Sequence, residues 1–272
     1  MRYLGVMLCV ALLVSGVGCV GDWRTAPPAR APTTAADDVL RVLTYNIHHG
    51  AGTDSVLDLE RIARVITDAT PDLVGLQEVD NGASRTGDVD QAATLGSLTG
   101  MHHAFAPFMD FQGGQYGLAV LSKHPIVSAR VIDLPPGRSE PRSALAVEVA
   151  PADKPRVTIV CLHFDWLEGD AERFAQAQAL IAALDSEDGV ILAGDFNDTP
   201  DSRTIRAFED AGYAIAQPAV GNGLTFPADL PTKRIDFVMH RPAFAFVGGV
   251  EVLDEKVASD HRPVLAVLEW TK

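Results

Sequence analysis

The chain has 272 residues, of which 47% are hydrophobic and 21% charged, enough apolar material for one large globular domain and too much for a disordered chain. Its formal net charge is −14, and its lysines are confined to Lys123, Lys154, Lys233, Lys256 and Lys272. That balance argues against a non-specific nucleic-acid binder, whose affinity rests on Lys and Arg neutralising phosphates. The cysteines are Cys9, Cys19 and Cys161, too few and too dispersed for a disulfide framework.

Met1-Arg2-Tyr3 precedes an apolar run, Leu4 to Val14, and then Ser15-Gly16-Val17-Gly18-Cys19. This is the pattern of a secretory signal, and the run falls short of the roughly 20 residues that span a bilayer. Residues 1–19 are therefore expected to be a signal peptide. Gly18-Cys19 resembles a bacterial lipoprotein signal, with Gly16 where Leu is usual, and implies a lipidated Cys19 that holds the protein on a membrane surface. Soluble secretion, to the periplasm or beyond, is the alternative. Residues 20–38, rich in Pro, Ala and Thr without periodicity, read as a flexible linker, and residues 39–272 as the folded domain.

Within that domain, Val39–Ile47 reads as strand, Leu59–Ala69 as amphipathic helix, Asp72–Val79 as strand and Gln91–Thr99 as helix. Strands follow at Gly117–Ser122, Ile126–Leu134, Ser143–Val149 and Val157–His163, with Cys161 buried in the last as a small hydrophobe. Ala171–Leu184 is expected as helix, Gly189–Ala193 as strand, Ser202–Ala211 as helix, and Arg234–His240, Phe244–Val252 and Pro263–Glu269 as strands. Strands outnumber helices and some follow one another as hairpins, which predicts a mixed α/β (α+β) fold with helices outside one mixed sheet or two packed sheets.

Six apolar runs end in, begin from or follow polar residues of related chemistry: Asn46, Gln77-Glu78, His163, Asp195-Phe196-Asn197, Asp236 and Ser259-Asp260-His261. A single polar strand end is ordinary, because caps and turns use the same residues. Six with matching chemistry point to a site at the rim of a sheet.

Thr44-Tyr45-Asn46-Ile47-His48-His49-Gly50, Leu76-Gln77-Glu78-Val79, Gly194-Asp195-Phe196-Asn197, Arg234-Ile235-Asp236-Phe237 and Ser259-Asp260-His261-Arg262-Pro263 resemble, in order, the motifs of the endonuclease/exonuclease/phosphatase superfamily. The similarity extends from about Val39 to Leu268. It implies a DNase I-like four-layer α-β-β-α sandwich and a divalent-metal-dependent phosphoesterase. A hard cation answers the charge problem of a phosphate ester, and oxygen donors suit Mg²⁺ or Mn²⁺. The resemblance implies Glu78 as the main metal ligand, with Asn46 and Asp260 adding oxygens directly or through water. It makes His261 the general base or the phosphate-facing imidazole, oriented by Asp236. Asp195 would position or deprotonate the attacking water, Asn197 would hold a phosphoryl oxygen, and His163 would donate to the non-bridging oxygens or the leaving group. Tyr116 and Arg142 are candidate phosphate contacts; Arg142, like Arg85, is equally suited to a structural ion pair. Where the family usually has Asn-Thr-His-Leu, this chain has Cys161-Leu162-His163-Phe164, so the hydrogen bonds of that Asn and Thr are lost. His48, His49, His102 and His103 are expected as rim or structural groups, the latter pair preceding a strand.

Three functional readings follow. The first is an exported monomeric phosphoesterase acting on a small or lipid-linked phosphodiester or phosphomonoester, with Phe105, Phe108, Met109 and Phe111 as an apolar rim for lipid. The second is a nuclease, which the acidic charge disfavours, and the third is a silent binding domain, against which every expected site position is filled.

Overall fold

The computed structural model describes residues 39–271; the expected signal peptide, lipidated Cys19 and linker lie outside the described residues. In chain order the elements are β1 (Val39–Asn46), α1 (Leu59–Ala69), β2 (Leu73–Asn81), α2 (Gln91–Thr99), β3 (His102–Phe111), β4 (Gly114–Ser122), β5 (Ile126–Asp133), β6 (Ser143–Val149) and β7 (Val157–His163). There follow α3 (Ala171–Ala183), β8 (Val190–Asp195), α4 (Arg203–Asp210), β9 (Ala214–Ile215), β10 (Asp236–His240), β11 (Phe244–Phe246), β12 (Glu251–Val252) and β13 (Val264–Trp270).

One sheet has the order β11-β13-β1-β2-β4-β3 with β12 also on β13, and the other the order β5-β6-β7-β8-β10-β9. In β1, Leu40 and Val42 point into a core shared by the two sheets, whereas Leu43 and Tyr45 point into a second core under α1 and α2. Both faces of the strand are covered, which is why it reads as an almost unbroken apolar run rather than an alternation. The second sheet repeats the arrangement: Val160, Leu162 and Leu192 pack with Ala177 and Leu180 of α3 and Phe208 of α4. Helices, sheet, sheet, helices make the four-layer sandwich that the motifs implied.

Local chemistry sets the helix ends. Asp58 caps α1 by accepting from the Arg61 N–H at 2.8 Å, Asp90 caps α2 by accepting from the Ala93 N–H at 2.9 Å, and Ser202 caps α4 through the Ile205 N–H at 3.2 Å, satisfying donors that a helix N-terminus leaves orphaned. The sheets approach closely at the middle of β2, where a Cβ on Gly75 would lie 3.1 Å from the Ala193 carbonyl oxygen. Beside it, Gln77 Nε2 donates to Cys161 Sγ at 3.2 Å and the Cys161 thiol donates to the Leu76 carbonyl at 3.3 Å. Cys161 is thus the buried small residue expected, with a cross-sheet hydrogen bond added.

Three stretches differ from the sequence expectation. His102 and His103 begin β3 instead of preceding it, and the strand continues through Phe105, Phe108 and Met109 to Phe111. Pro107 interrupts the pattern that would have marked a strand, and it is tolerated because β3 is a sheet edge with a register shift between Pro107 and Met109. The proposed apolar rim is accordingly strand: Phe105 packs toward the helices and Phe108 toward the inter-sheet core. Phe244–Val252 is split into β11 and β12 around Gly248 at φ +76°, and the two-residue β9 had no sequence signal.

Candidate active site

The site forms where the ends of both sheets meet. In the second sheet His163 pairs with Asp195 and Asp195 with Asp236, so β7, β8 and β10 place an imidazole and two carboxylates side by side. In the first sheet β1 ends at Asn46 opposite Gln77. The next residue, Glu78, sits in a bulge between Gln77 and Val79 with φ +60°, a device that re-aims a side chain beside an active site. Asn46 joins the sheets: its Nδ2 donates to Glu78 Oε1 and to Asp195 Oδ2, each at 3.1 Å. The loop before β13 closes the ring, with the Ser259 hydroxyl donating to the Asn46 carbonyl at 2.7 Å. His261 Nδ1 meets Asp236 Oδ2 at 3.0 Å.

These groups open on a cleft of about 600 Å³ lined by Glu78, Tyr116, Arg142, His163, Asp195, Asn197, Asp260 and His261. Asp236 stands behind His261 and reaches the cleft only through it. All ten residues singled out from the sequence converge here. Two of them already have hydrogen-bond partners. Asn46 presents its amide nitrogen to the carboxylates, orienting Glu78 and Asp195, while its Oδ1 accepts from the His48 N–H at 3.1 Å. Asn197, in the left-handed region at φ +51°, spends its amide N–H on the Phe164 carbonyl at 3.1 Å and its backbone N–H on Asp195 Oδ1 at 2.8 Å.

Burial sorts the charges. Asp195 is 1% exposed; desolvation, reinforced by the Asp236 charge, raises its carboxyl well above the ordinary range. Burial also works against a charged His261, but Asp236 first and Asp195 second outweigh it and lift the imidazole from 6.5 to about 10. At neutral pH His261 is an imidazolium hydrogen-bonded to Asp236. His163 goes the other way: burial, then the positive charges of Arg142 and His261, hold it well below 6.5, so it is neutral, with Nε2 3.6 Å from Asp195 Oδ2 and Nδ1 buried without a partner. Two histidines with the same sequence prospects therefore carry different protonation states.

Arg142 is 3% exposed. It makes a 2.8 Å charge contact with Glu140, yet none of Nε, Nη1 and Nη2 has an aligned hydrogen bond. A buried guanidinium that faces a cleft with no aligned hydrogen bond has donors to offer an anion. Arg85 took its other expected role: it forms a bidentate ion pair with buried Asp80, both contacts 2.7 Å, and stacks over Phe111 and Tyr116. For a cation, the carboxylates of Glu78 and Asp260 on the same cleft are the hard oxygen donors that a divalent ion requires, and the residues present fit one.

Sequence reasoning missed several cleft residues. Trp166, 57% exposed, and Lys233 line the cleft, and the Phe226 ring packs 4.8 Å from the His261 ring. All three lie on loops, where no periodicity marks them. His48 and His49, expected as rim or structural groups, lie beside Glu78, with one ligand atom from each of the three within 4.8 Å of the others. Burial lowers His49 from 6.5 to about 4.

Known proteins are similar to this chain in sequence and in fold. The chain is 26% identical to the uncharacterized protein YbhP of Escherichia coli K12 over 245 residues, covering 83% of this chain and 94% of YbhP. Its fold is similar to an endonuclease/exonuclease/phosphatase from Beutenbergia cavernae, with TM-score 0.70, 26% identity and coverage of 86% and 72% of the two chains. A mannosyl-6-phosphatase from Bacteroides thetaiotaomicron has the same fold at 20% identity, TM-score 0.67 and coverage of 85% and 100%. Matched to the family profile from residue 43 to residue 261, a span that takes in every site residue from Asn46 onward, the chain belongs to the Endonuclease/Exonuclease/phosphatase family and is a metal-dependent phosphoesterase.

Proposed function

We propose that this enzyme is exported, works with Mg²⁺ or Mn²⁺, and hydrolyses a small or lipid-linked phosphate ester, acting as a monomer held at a membrane through Cys19 or released. The observation that carries the reading is the buried Arg142 guanidinium, paired with Glu140 but without an aligned hydrogen bond, beside a neutral His163 and a positively charged His261, a constellation that fits one phosphoryl group. The net charge of −14 supports a small substrate over a nucleic-acid track.

Each residue has a role consistent with its protonation state. Glu78 and Asp260 would hold the divalent cation, with Asn46 orienting Glu78. When bound, the ion offsets the negative charge of the phosphoryl group. Asp195, with its raised carboxyl, accepts the proton of the attacking water, and Asn197 fixes the Asp195 carboxylate through its backbone N–H. His261 faces the phosphoryl oxygens as an imidazolium, the second of its two expected roles, because Asp236 keeps it charged. His163 and Tyr116 donate neutral hydrogen bonds, and Arg142 supplies the fixed positive charge.

The test is a hydrolysis panel of p-nitrophenyl phosphate, bis-p-nitrophenyl phosphate, sphingomyelin, an inositol phosphate and plasmid DNA, with Mg²⁺, with Mn²⁺ and with EDTA. Turnover of a small or lipid ester that EDTA abolishes supports the proposal. Preference for DNA would replace it with a nuclease.

A further inference from the structure

The turn after β1 has a feature that the phosphoesterase site does not use. His48 and His49 are consecutive non-glycine residues in the left-handed region, at φ +45° and +46°, and Glu78 across from them is a third at +60°. Such backbone is sparsely populated and persists only where its surroundings enforce it. Here they do. The His48 N–H is held by Asn46 Oδ1 at 3.1 Å, the His49 carbonyl accepts from Gln91 Nε2 of α2 at 2.8 Å, and Gly50 packs so tightly on α1 that a Cβ there would lie 2.9 Å from Leu59 Cδ2. The outcome is that two imidazoles, with ring centroids 4.5 Å apart, are directed at one carboxylate.

We propose that His48, His49 and Glu78 form a second cation site, selective for a borderline transition ion such as Zn²⁺ or Co²⁺, beside the oxygen-donor site of Glu78 and Asp260. The three ligand atoms lie within 4.8 Å of one another, close enough for small side-chain rotations to bring them onto one ion. Two nitrogens and one carboxylate oxygen favour a borderline ion over Mg²⁺, which takes oxygen donors. His48 Nδ1 lies 3.1 Å from the Ala51 carbonyl; donation there leaves Nε2 with its lone pair free, the arrangement usual for a metal-binding histidine. His49 Nδ1 is buried with no partner, a polar atom that an ion would satisfy. Glu78 has two carboxylate oxygens and so can serve both sites. The inference does not depend on the substrate.

The test uses the whole protein, stripped of metal with EDTA and returned to excess Mg²⁺. Zn²⁺ retention is read by equilibrium dialysis and Co²⁺ binding by its visible absorption, for wild type, His48→Gln, His49→Gln and the control His102→Gln. The proposal expects wild type and the control to hold one Zn²⁺ against Mg²⁺, and each site variant to bind at least about tenfold more weakly. It is overturned if wild type holds no Zn²⁺ against Mg²⁺ or if both site variants bind as wild type does. Because a turn variant can lose its fold, imidazole ¹⁵N shifts are followed in wild type as well; shifts of His48 and His49 on Zn²⁺ addition support the site, and their absence overturns it. Mg²⁺-dependent turnover, measured separately, reports on the phosphoesterase proposal alone.

Discussion

Replacing Asp236 with Asn tests the electrostatic part of the site. Asp236 touches His261 through a 3.0 Å contact to Nδ1, and with Asp195 and His261 it makes a buried cluster whose ligand atoms lie within 4.8 Å of one another, distinct from the Glu78 and Asp260 pair proposed to hold the cation. Its charge is the largest favourable influence on the His261 imidazolium, ahead of Asp195, in raising that group from 6.5 to about 10. At 1.36 kcal/mol per pH unit, the rise corresponds to roughly 5 kcal/mol of preference for the charged form. Asp236→Asn removes the largest favourable part of this, so the rate should fall in the pH range where the variant's imidazole is neutral and that of wild type is still charged. The assay is hydrolysis of bis-p-nitrophenyl phosphate across pH 5–10 with saturating Mg²⁺. The variant should lose kcat increasingly toward the alkaline end of that range, by about tenfold or more, while the Mg²⁺ concentration for half-maximal rate changes by less than about threefold. In ¹⁵N spectra of the metal-free protein, His261 should titrate at lower pH than in wild type. A variant within about threefold of wild-type kcat, or one cured by more Mg²⁺, would refute the reasoning.

Arg142→Met should raise KM for phosphate esters by about tenfold or more, since a hydrogen bond to a charged partner contributes roughly 1.5–3 kcal/mol, and should also cost the fold the ion pair to Glu140; inhibition by inorganic phosphate measures the loss of binding. Gly75→Ala should destabilise the domain by roughly 1–3 kcal/mol in urea unfolding, because the new Cβ would lie 3.1 Å from the Ala193 oxygen and 3.2 Å from its Cβ. The Cys161 thiol, pushed up to about 12 by burial, should stay unreactive toward a disulfide reagent at pH 8 until urea opens the inter-sheet core. In EDTA, thermal stability should fall as pH rises from about 6.5 to about 10. Below that window the raised Asp195 carboxyl, which stabilises the fold at low pH, is opposed by His49 and His163, whose lowered values make stability rise with pH. The raised His261 contributes fully below 6.5 and is lost through about 10. Each kcal/mol lost should lower Tm by roughly 2–4 °C, and His261→Ala should remove the upper part of the slope.

Much of the fold was legible where burial and local chemistry agree. Leu59–Ala69 and Gln91–Thr99 were bounded correctly because Asp58 and Asp90 cap them, and Ser143–Val149 and Val157–His163 because strands covered on both faces leave continuous apolar runs. His102–Phe111 was not, since an edge strand exposed along part of its length tolerates Pro107 and alternates weakly. At the site, residue type and strand-end position marked Asn46, Glu78, His163, Asp195, Asp236 and His261. Their states were not marked, because protonation follows from three-dimensional neighbours: His163 and His261 are both strand-rim histidines in sequence, and only the placement of Arg142 beside one and Asp236 beside the other separates them. The left-handed backbone that aims His48, His49 and Glu78 at one another has no sequence signature at all.

The same features that make the cleft reactive make it costly to fold. Asp195 and Asp236 pair across adjacent strands, where like charges oppose each other, a cost offset by His261 and by the hydrogen bonds of Asn46 and Asn197 to Asp195. Arg142 loses water without gaining an aligned hydrogen bond, and Asp236 Oδ1 and His163 Nδ1 are likewise buried without partners. Groups left in this condition are tolerated because two continuous sheets, packed on each other and on helices, hold their ends in register regardless of what those ends carry. A phosphoryl group and a cation would complete Arg142 and Glu78, so ligand binding should stabilise the folded enzyme by an amount set by ligand concentration over Kd. The destabilised site is thus a reserve of binding energy that an apolar replacement would remove while making the protein more stable.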